Sequence, residues 1–190
     1  MEKLTGVWEL EPKRSVEILD LPGIYSIYPK SIDEELVINI LGDPKHPDFP
    51  DMAIVVADAS NLKRNLLLFS QVRDLGIPTV LALNMIDVAE NEGYVINSIK
   101  LARELSVEVA EVNAKKGIGL NGLKLAVIKT LTNRFASNDA LPLPISEELI
   151  QDVQAEFGEA EPYRSMLWLM EHDRMKMFSQ AQRETFDDIQ

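Results

Sequence analysis

The stretch "MAIVVADASNLKRNLLLFSQVRDLGIPTVLALNMID", residues 52–87, places two short aliphatic runs around one longer segment with three- and four-residue apolar spacing. The runs "MAIVVAD" (52–58) and "TVLALN" (79–84) are too continuously apolar for strands with one wet face. They have the texture of strands buried on both sides in a parallel sheet. The segment between them, "LKRNLLLFSQVRDLG" (62–76), spaces its apolar residues as a helix does, and Gly76 stands where a helix C-terminus favours glycine. Outward from this unit the alternation repeats. "VEILDL" (16–21) and "VEVAEVN" (107–113) are strand-like, while "NSIKLARELS" (97–106) and "LNGLKLAVIKTLTN" (120–133) are helical in spacing. The pattern predicts an α/β layered domain whose four runs are central strands of a parallel sheet with crossover helices.

After residue 134 the texture changes. "FASNDALPLPISEEL" (135–149) holds two prolines and no strand-like run, and three helical patterns follow it to residue 190. The chain is accordingly divided into a sheet-bearing domain, 1–134, and a small all-helical subdomain, 135–190. The apolar stripe "MLWLMEHDRMKMF" in that second part is expected to pack against neighbouring helices. "SIDEEL" (31–36) is expected to start a helix, its acids complementing the helix dipole.

Composition narrows the chemistry. The 190 residues are 46% hydrophobic, enough for one substantial core and a smaller attached unit. Acids outnumber bases 31 to 19, and the net charge of −12 repels nucleic acid and anionic lipid. There are no cysteines, which removes disulfides, thiolate nucleophiles and Cys-ligated zinc. The N-terminal "MEKLTGVWELEPKR" has no signal-peptide apolar region, and no apolar run approaches the roughly 20 residues of a membrane span. A soluble, intracellular chain is expected. The two histidines, His46 and His172, are far apart in sequence, and no ligand set for iron is evident.

Ligands of open α/β sheets bind at the carboxyl ends of the strands. Three such ends carry unusual residues. In Asp20-Leu21-Pro22-Gly23 the acid can hold magnesium through water, and the glycine N–H can approach a phosphate with no Cβ in the way. Alone, this is also an ordinary turn. In "ALNMID", Asn84 and Asp87 can present an amide and a carboxylate to one ligand edge, and a carboxylate suits the N1–H and N2–H₂ donors of guanine. The alternative is that Asp87 caps a helix. In "EVNAKKGIGL", the Ala114 N–H can bond the guanine O6 while the Lys115 stem lies on the base. By itself that stretch is a solvated lysine loop.

In this order "DLPG", "NMID" and "NAKKG" resemble the magnesium-phosphate, guanine-base and base-backing motifs of the small-GTPase superfamily. The phrases "DLPGIYSIYPKSIDEELV" and "VVADASNLKRNLLLFSQVRDLGIPTVLALNMIDVAE" resemble the cytosolic G domain of the ferrous-iron transporter FeoB family, over roughly residues 4–131. The resemblance implies a P-loop GTPase-like sheet followed by a helical segment similar to a nucleotide-dissociation-inhibitor unit. It implies that Asp20, Leu21, Pro22 and Gly23 serve magnesium and the terminal phosphate, with Asp20 holding Mg²⁺ through water. Asn84, Met85 and Asp87 would read guanine, with Met85 where many GTPases have lysine. Asn113, Ala114 and Lys115 would close over the base, and Ile24, Tyr25 and Ser26 would begin the switch segment. GTP or GDP and Mg²⁺ are the implied ligands, with room for a monovalent activating cation. The implied partner is the membrane domain of the same parent protein, at the cytoplasmic face of the cell membrane, and a homo-oligomer is allowed.

Two departures accompany the resemblance. Ile24 stands where Ras-like enzymes orient water with Gln, which implies slow hydrolysis, and no catalytic residue is assigned. No GxxxxGK[ST] phosphate loop occurs in the 190 residues, nor does the first switch with its magnesium-binding Thr. "LTG" (4–6) resembles the end of the helix that follows such a loop. Two function classes stay open: a GTP-binding and GTP-hydrolysing regulatory domain, or a hydrolysis-incompetent G-domain-like interaction module or truncated fragment that binds guanine nucleotide weakly or not at all. Asp87 disfavours a third, an adenine-nucleotide enzyme, because adenine would face the carboxylate with an unprotonated N1.

Overall fold

Strand β4, Thr79–Asn84, is buried along its whole aliphatic run, with Val80, Leu81, Ala82 and Leu83 enclosed from both sides. In the computed structural model, which describes residues 4–133, 142–158 and 160–190, β4 is the centre of a parallel sheet ordered β3-β4-β5. Its neighbours are β3 (Ala53–Asp58) and β5 (Val109–Glu111). The register sets Asp58 opposite Asn84, so the two strands end together.

Helix α1 spans Ile32–Leu41, α2 Leu62–Asp74, α3 Ile86–Asn91, α4 Ser98–Leu105 and α5 Leu120–Asn133. The chain after α2 turns at Gly76, whose φ of +78° is the left-handed geometry that glycine tolerates. One face of the sheet, with Val55, Ala57, Leu81 and Leu83, packs on Phe69, Val72 and Leu75 and on the apolar residues of α1. The other face packs Val80 and Ala110 on Ala126 of α5. That cover does not reach β3, where Val56 is 60% exposed.

Helix α1 is started by Ser31, whose hydroxyl accepts the Glu34 N–H at 3.3 Å, with Asp33, Glu34 and Glu35 in the first turn. Substituting Ser31→Ala is expected to destabilise the fold by about 1 kcal/mol, read from the shift in a urea unfolding midpoint.

The first strand-like run differs from expectation. "VEILDL" is not a central strand of the parallel sheet: β2, Arg14–Asp20, pairs antiparallel with β1, Leu4–Glu11, in a separate two-stranded sheet. The local turn chemistry accounts for it. Pro12 fixes its own φ, Lys13 takes a φ of +67°, and the hairpin so formed satisfies the ladder within neighbouring sequence. "LTG" likewise opens β1 rather than ending a helix, because Thr5, Val7 and Trp8 favour extended backbone. Gly6 and Val7 continue one strand, opposite Ile18 and Glu17. The run at 107–113 is also shorter as a strand, limited to Val109–Glu111.

Helices α6 (Glu147–Phe157), α7 (Pro162–Glu171) and α8 (Gln180–Ile189) complete the chain. The expected boundary at 134/135 lies outside the described residues. Val153, Trp168, Met175, Phe178 and Phe186 form a second core, with Phe157 stacked on Phe186 at 3.9 Å between ring centroids. The apolar residues of the "MLWLMEHDRMKMF" stripe are therefore core apart from Met170, which is 50% exposed. His172 belongs to the core too, with Nδ1 3.0 Å from the Leu169 carbonyl and Nε2 3.2 Å from Asp187.

Helix α7 serves both cores. Tyr163, Met166 and Leu167 lie with the sheet's core, while Trp168 and Leu169 face the second. Polar groups tie the same seam: Trp168 Nε1 donates to the Gly42 carbonyl at 2.8 Å, and buried Arg164 donates to the Leu75 carbonyl. Asn39 donates to the Arg174 carbonyl at 3.0 Å and accepts from the Lys176 N–H.

Candidate functional site: a base-binding edge at two strand ends

Strand β4 ends at Asn84, and Met85 turns the chain in the left-handed region at φ +62°. A non-glycine residue there is strained, and the turn it makes delivers Asp87 to the first turn of α3. Asp87 does not cap that helix; Met85 is the N-cap residue, without a side-chain cap bond. The carboxylate points instead to the loop after β5. Asn113 Nδ2 donates to Asp87 Oδ2 at 2.9 Å, and Lys116 Nζ donates to the same oxygen at 2.7 Å. Lys116, chiefly, then the residue's own backbone N–H and Asn113, hold the Asp87 carboxyl below its ordinary range, so it stays ionised into mild acid.

The loop itself is closed by its own polar groups. Asn113 caps the short turn Ala114–Lys116 by accepting the Lys116 N–H at 3.1 Å. Its backbone exchanges hydrogen bonds with Ile118, at 2.9 and 3.1 Å. Asn84 Oδ1 accepts the Ala114 N–H at 3.1 Å, so the donor expected to be free for guanine O6 is already used. Gly119 crosses close to β5 at φ +83°; a Cβ built there would lie 2.0 Å from the Glu111 carbonyl oxygen.

Of the residues singled out in sequence, the structure thus brings together Asn84, Asp87, Asn113 and Ala114. Met85 supplies the turn and is 40% exposed. Lys115 is exposed, and no hydrogen bond of its side chain occurs among the described residues. Lys116 was missed; the one signal for it was the second lysine of "NAKKG".

The residues expected to serve the phosphate lie at the end of the hairpin, Asp20, and in the strand-free segment that follows it. Asp20 ends β2 in an exposed position, opposite Leu4, and no hydrogen bond or ion pair joins it to the Asp87 group. A Cβ on Gly23 would meet nothing within 4 Å, so its backbone is open to approach. Leu21 and Ile24 pack partly against the sheet's core, and Pro22 is half-buried. Tyr25 is exposed, with the Arg64 guanidinium 3.7 Å above its ring. Ser26 accepts the Tyr28 N–H at 3.3 Å. Then the segment is anchored: the Ile27 N–H donates to Gln71 at 3.0 Å, and the Tyr28 and Tyr163 hydroxyls meet at 3.4 Å. Burial raises both phenols, holding them neutral.

Among the described residues no group of three His, Cys, Asp or Glu side chains is placed to hold a metal ion. Asp20 fits the outer-sphere, water-mediated role, since Mg²⁺ keeps its waters and needs only one or two carboxylates beside ligand phosphates. Asp87 has the acceptor chemistry a guanine base needs, but its Oδ2 is taken by Asn113 and Lys116, and Asn84 Oδ1 is taken by the Ala114 N–H. The fit to the phosphates is incomplete, because the amide cradle and lysine of a phosphate loop are not among these residues. No helix among the described residues is long and apolar enough to cross a membrane.

Comparison with known proteins converges on one family. The family described as ferrous iron transport protein B matches residues 1–127. The Fe(2+) transporter FeoB of Salmonella typhimurium is 34% identical over 167 residues, covering 81% of this chain and 20% of that protein. The chain therefore spans about a fifth of the length of the curated relatives it matches. Among solved structures, the cytosolic domain of L. pneumophila FeoB superposes with a TM-score of 0.71 at 31% identity, over 86% of this chain and 64% of that one. The mGMPPNP-bound NFeoB from S. thermophilus superposes with a TM-score of 0.69 at 32% identity, over 99% and 72%. The fold is that of these G domains: an α/β architecture of the P-loop GTPase kind.

Proposed function

The chain belongs to the ferrous iron transport protein B family, and from that premise we propose that it is the guanine-nucleotide-binding, slowly GTP-hydrolysing regulatory domain of a prokaryotic ferrous iron transport protein. One observation carries the reading: side chains that follow two strands, Asp87 and Asn113, 26 residues apart, meet around an ionised carboxylate. That carboxylate accepts guanine N1–H and N2–H₂ in parallel. Asn84 steadies the loop that closes over the base, through the Ala114 N–H.

Asp20 and Gly23 would face magnesium and the terminal phosphate, and residues 24–26 would respond to it. GTP's phosphoanhydride supplies the driving chemistry when bound. The residues here hold and orient it. Ile24 packs against the core and has no group to align a water, which supports slow turnover. Mg²⁺, with a monovalent cation as an allowed activator, completes the proposed ligand set. Iron is cargo for the membrane domain of the parent protein, beneath which this domain would sit at the cytoplasmic face, with residues 135–190 as a helical subdomain and homo-oligomers allowed.

The hairpin β1–β2 outside the parallel sheet, together with the absent GxxxxGK[ST] sequence, favours a second reading: a hydrolysis-incompetent G-domain-like interaction module or truncated fragment that binds guanine nucleotide weakly or not at all. Titration with fluorescent GDP separates the two. Micromolar or tighter binding that depends on Mg²⁺ and is not competed by ADP is the expected result; a folded protein that binds no GDP supports the module.

A further inference from the structure

Asp87 Oδ2 already accepts two donors, from Asn113 and Lys116, and a carboxylate oxygen offers two lone-pair sites. Guanine needs both oxygens of that carboxylate at once, so one of the resident donors must leave. Asn113 is fastened by its backbone exchange with Ile118 and by its side-chain bond to the Lys116 N–H. The Lys116 side chain is fastened at one point and is 58% exposed, so it is the donor that yields. The Ala114 N–H shows the same substitution: Asn84 Oδ1 stands where a carbonyl oxygen of the base would be received.

We propose that residues 113–117 form a self-capping latch, in which Lys116 occupies the guanine-reading face of Asp87 and competes with the incoming base. The proposal rests on the guanine-binding reading and adds a residue that sets the affinity of that site. In the empty protein the latch keeps the carboxylate paired and the loop ordered. A guanine nucleotide displaces the Lys116 ammonium into solvent and takes its place.

Stopped-flow binding of fluorescent GDP to wild type, Lys116→Ala and Lys116→Arg tests it. An exposed pair of this kind predicts that Lys116→Ala tightens GDP binding about two- to five-fold through a faster on-rate, with an unchanged off-rate. Lys116→Arg, which keeps the pair, should behave as wild type. Unchanged or weaker GDP affinity in Lys116→Ala overturns the latch. Failure of the guanine reading looks different, because then no form binds GDP. NMR titration of the Asp87 carboxyl in the ligand-free protein decides the contact in either case: an upward shift in Lys116→Ala supports it, and no movement overturns it.

Discussion

Substituting Asp87→Ala is expected to weaken GDP binding by about 100- to 1,000-fold and to leave ADP binding at its already low level. Two charge-assisted hydrogen bonds to the base disappear together, and a site built around hydrogen bonds discriminates by orders of magnitude. The fold should survive, since the Asp87 side chain is 42% exposed and its partners return to water. Competition binding of GDP and ADP measures the effect; equal losses for both nucleotides would show that Asp87 does not read the base. Substituting Asp87→Asn sharpens the result. An amide offers one donor and one acceptor, which matches the carbonyl and N1–H of xanthine, so preference should move from GDP to XDP. The pH dependence follows from the depressed carboxyl. Its favourable ionised form is present above the ordinary Asp range and is lost only as pH falls through the lower folded value, so GDP binding should hold through mildly acid buffer.

The second large effect is expected at Gly119, which packs against the backbone of β5. In Gly119→Ala the new methyl would lie 2.0 Å from the Glu111 carbonyl oxygen, at a φ of +83° that L-residues disfavour. Backbone on both sides cannot rotate away as a side chain would. The combined cost is about 3 kcal/mol or more, which lowers the melting temperature of a domain this size by roughly 6–12 °C. Gly117→Ala is the matched control: φ is +66°, but nothing lies within 4 Å of its Cβ, so only about 1–2 kcal/mol of backbone strain remains. Comparable melting temperatures for the two variants would remove the close crossing as the cause.

Much of this architecture is legible before any coordinates. The uninterrupted runs at 52–58 and 79–84 predict strands covered on both faces; β4 is so covered, whereas Val56 of β3 is 60% exposed. Helix α5 matches its periodic segment, 120–133, residue for residue, and α2 stops two residues before the glycine that marked its end. That Asn84, Asp87 and Asn113 gather at one place could be anticipated because polar residues just past neighbouring parallel strands share one edge of the sheet. Two features could not. "VEILDL" has the same texture whether its partner is parallel or antiparallel, and the deciding turn at Pro12 and Lys13 is local chemistry outside that run. Lys115 and Lys116 are neighbours of one type. Only the helical turn after Asn113 determines that the second, not the first, reaches back to Asp87.

Residues 27 and 28 anchor the chain just beyond the hairpin end. Any displacement of residues 20–26 pulls against Ile27, pinned to α2 through Gln71, and against Tyr28, whose hydroxyl abuts Tyr163 in the first turn of α7. Because α7 is seated in both cores, a load entering at Tyr163 is borne by a stiff rod and not by a loose tether. The phenol pair thus joins the segment that follows the strand end to a helix shared by both cores.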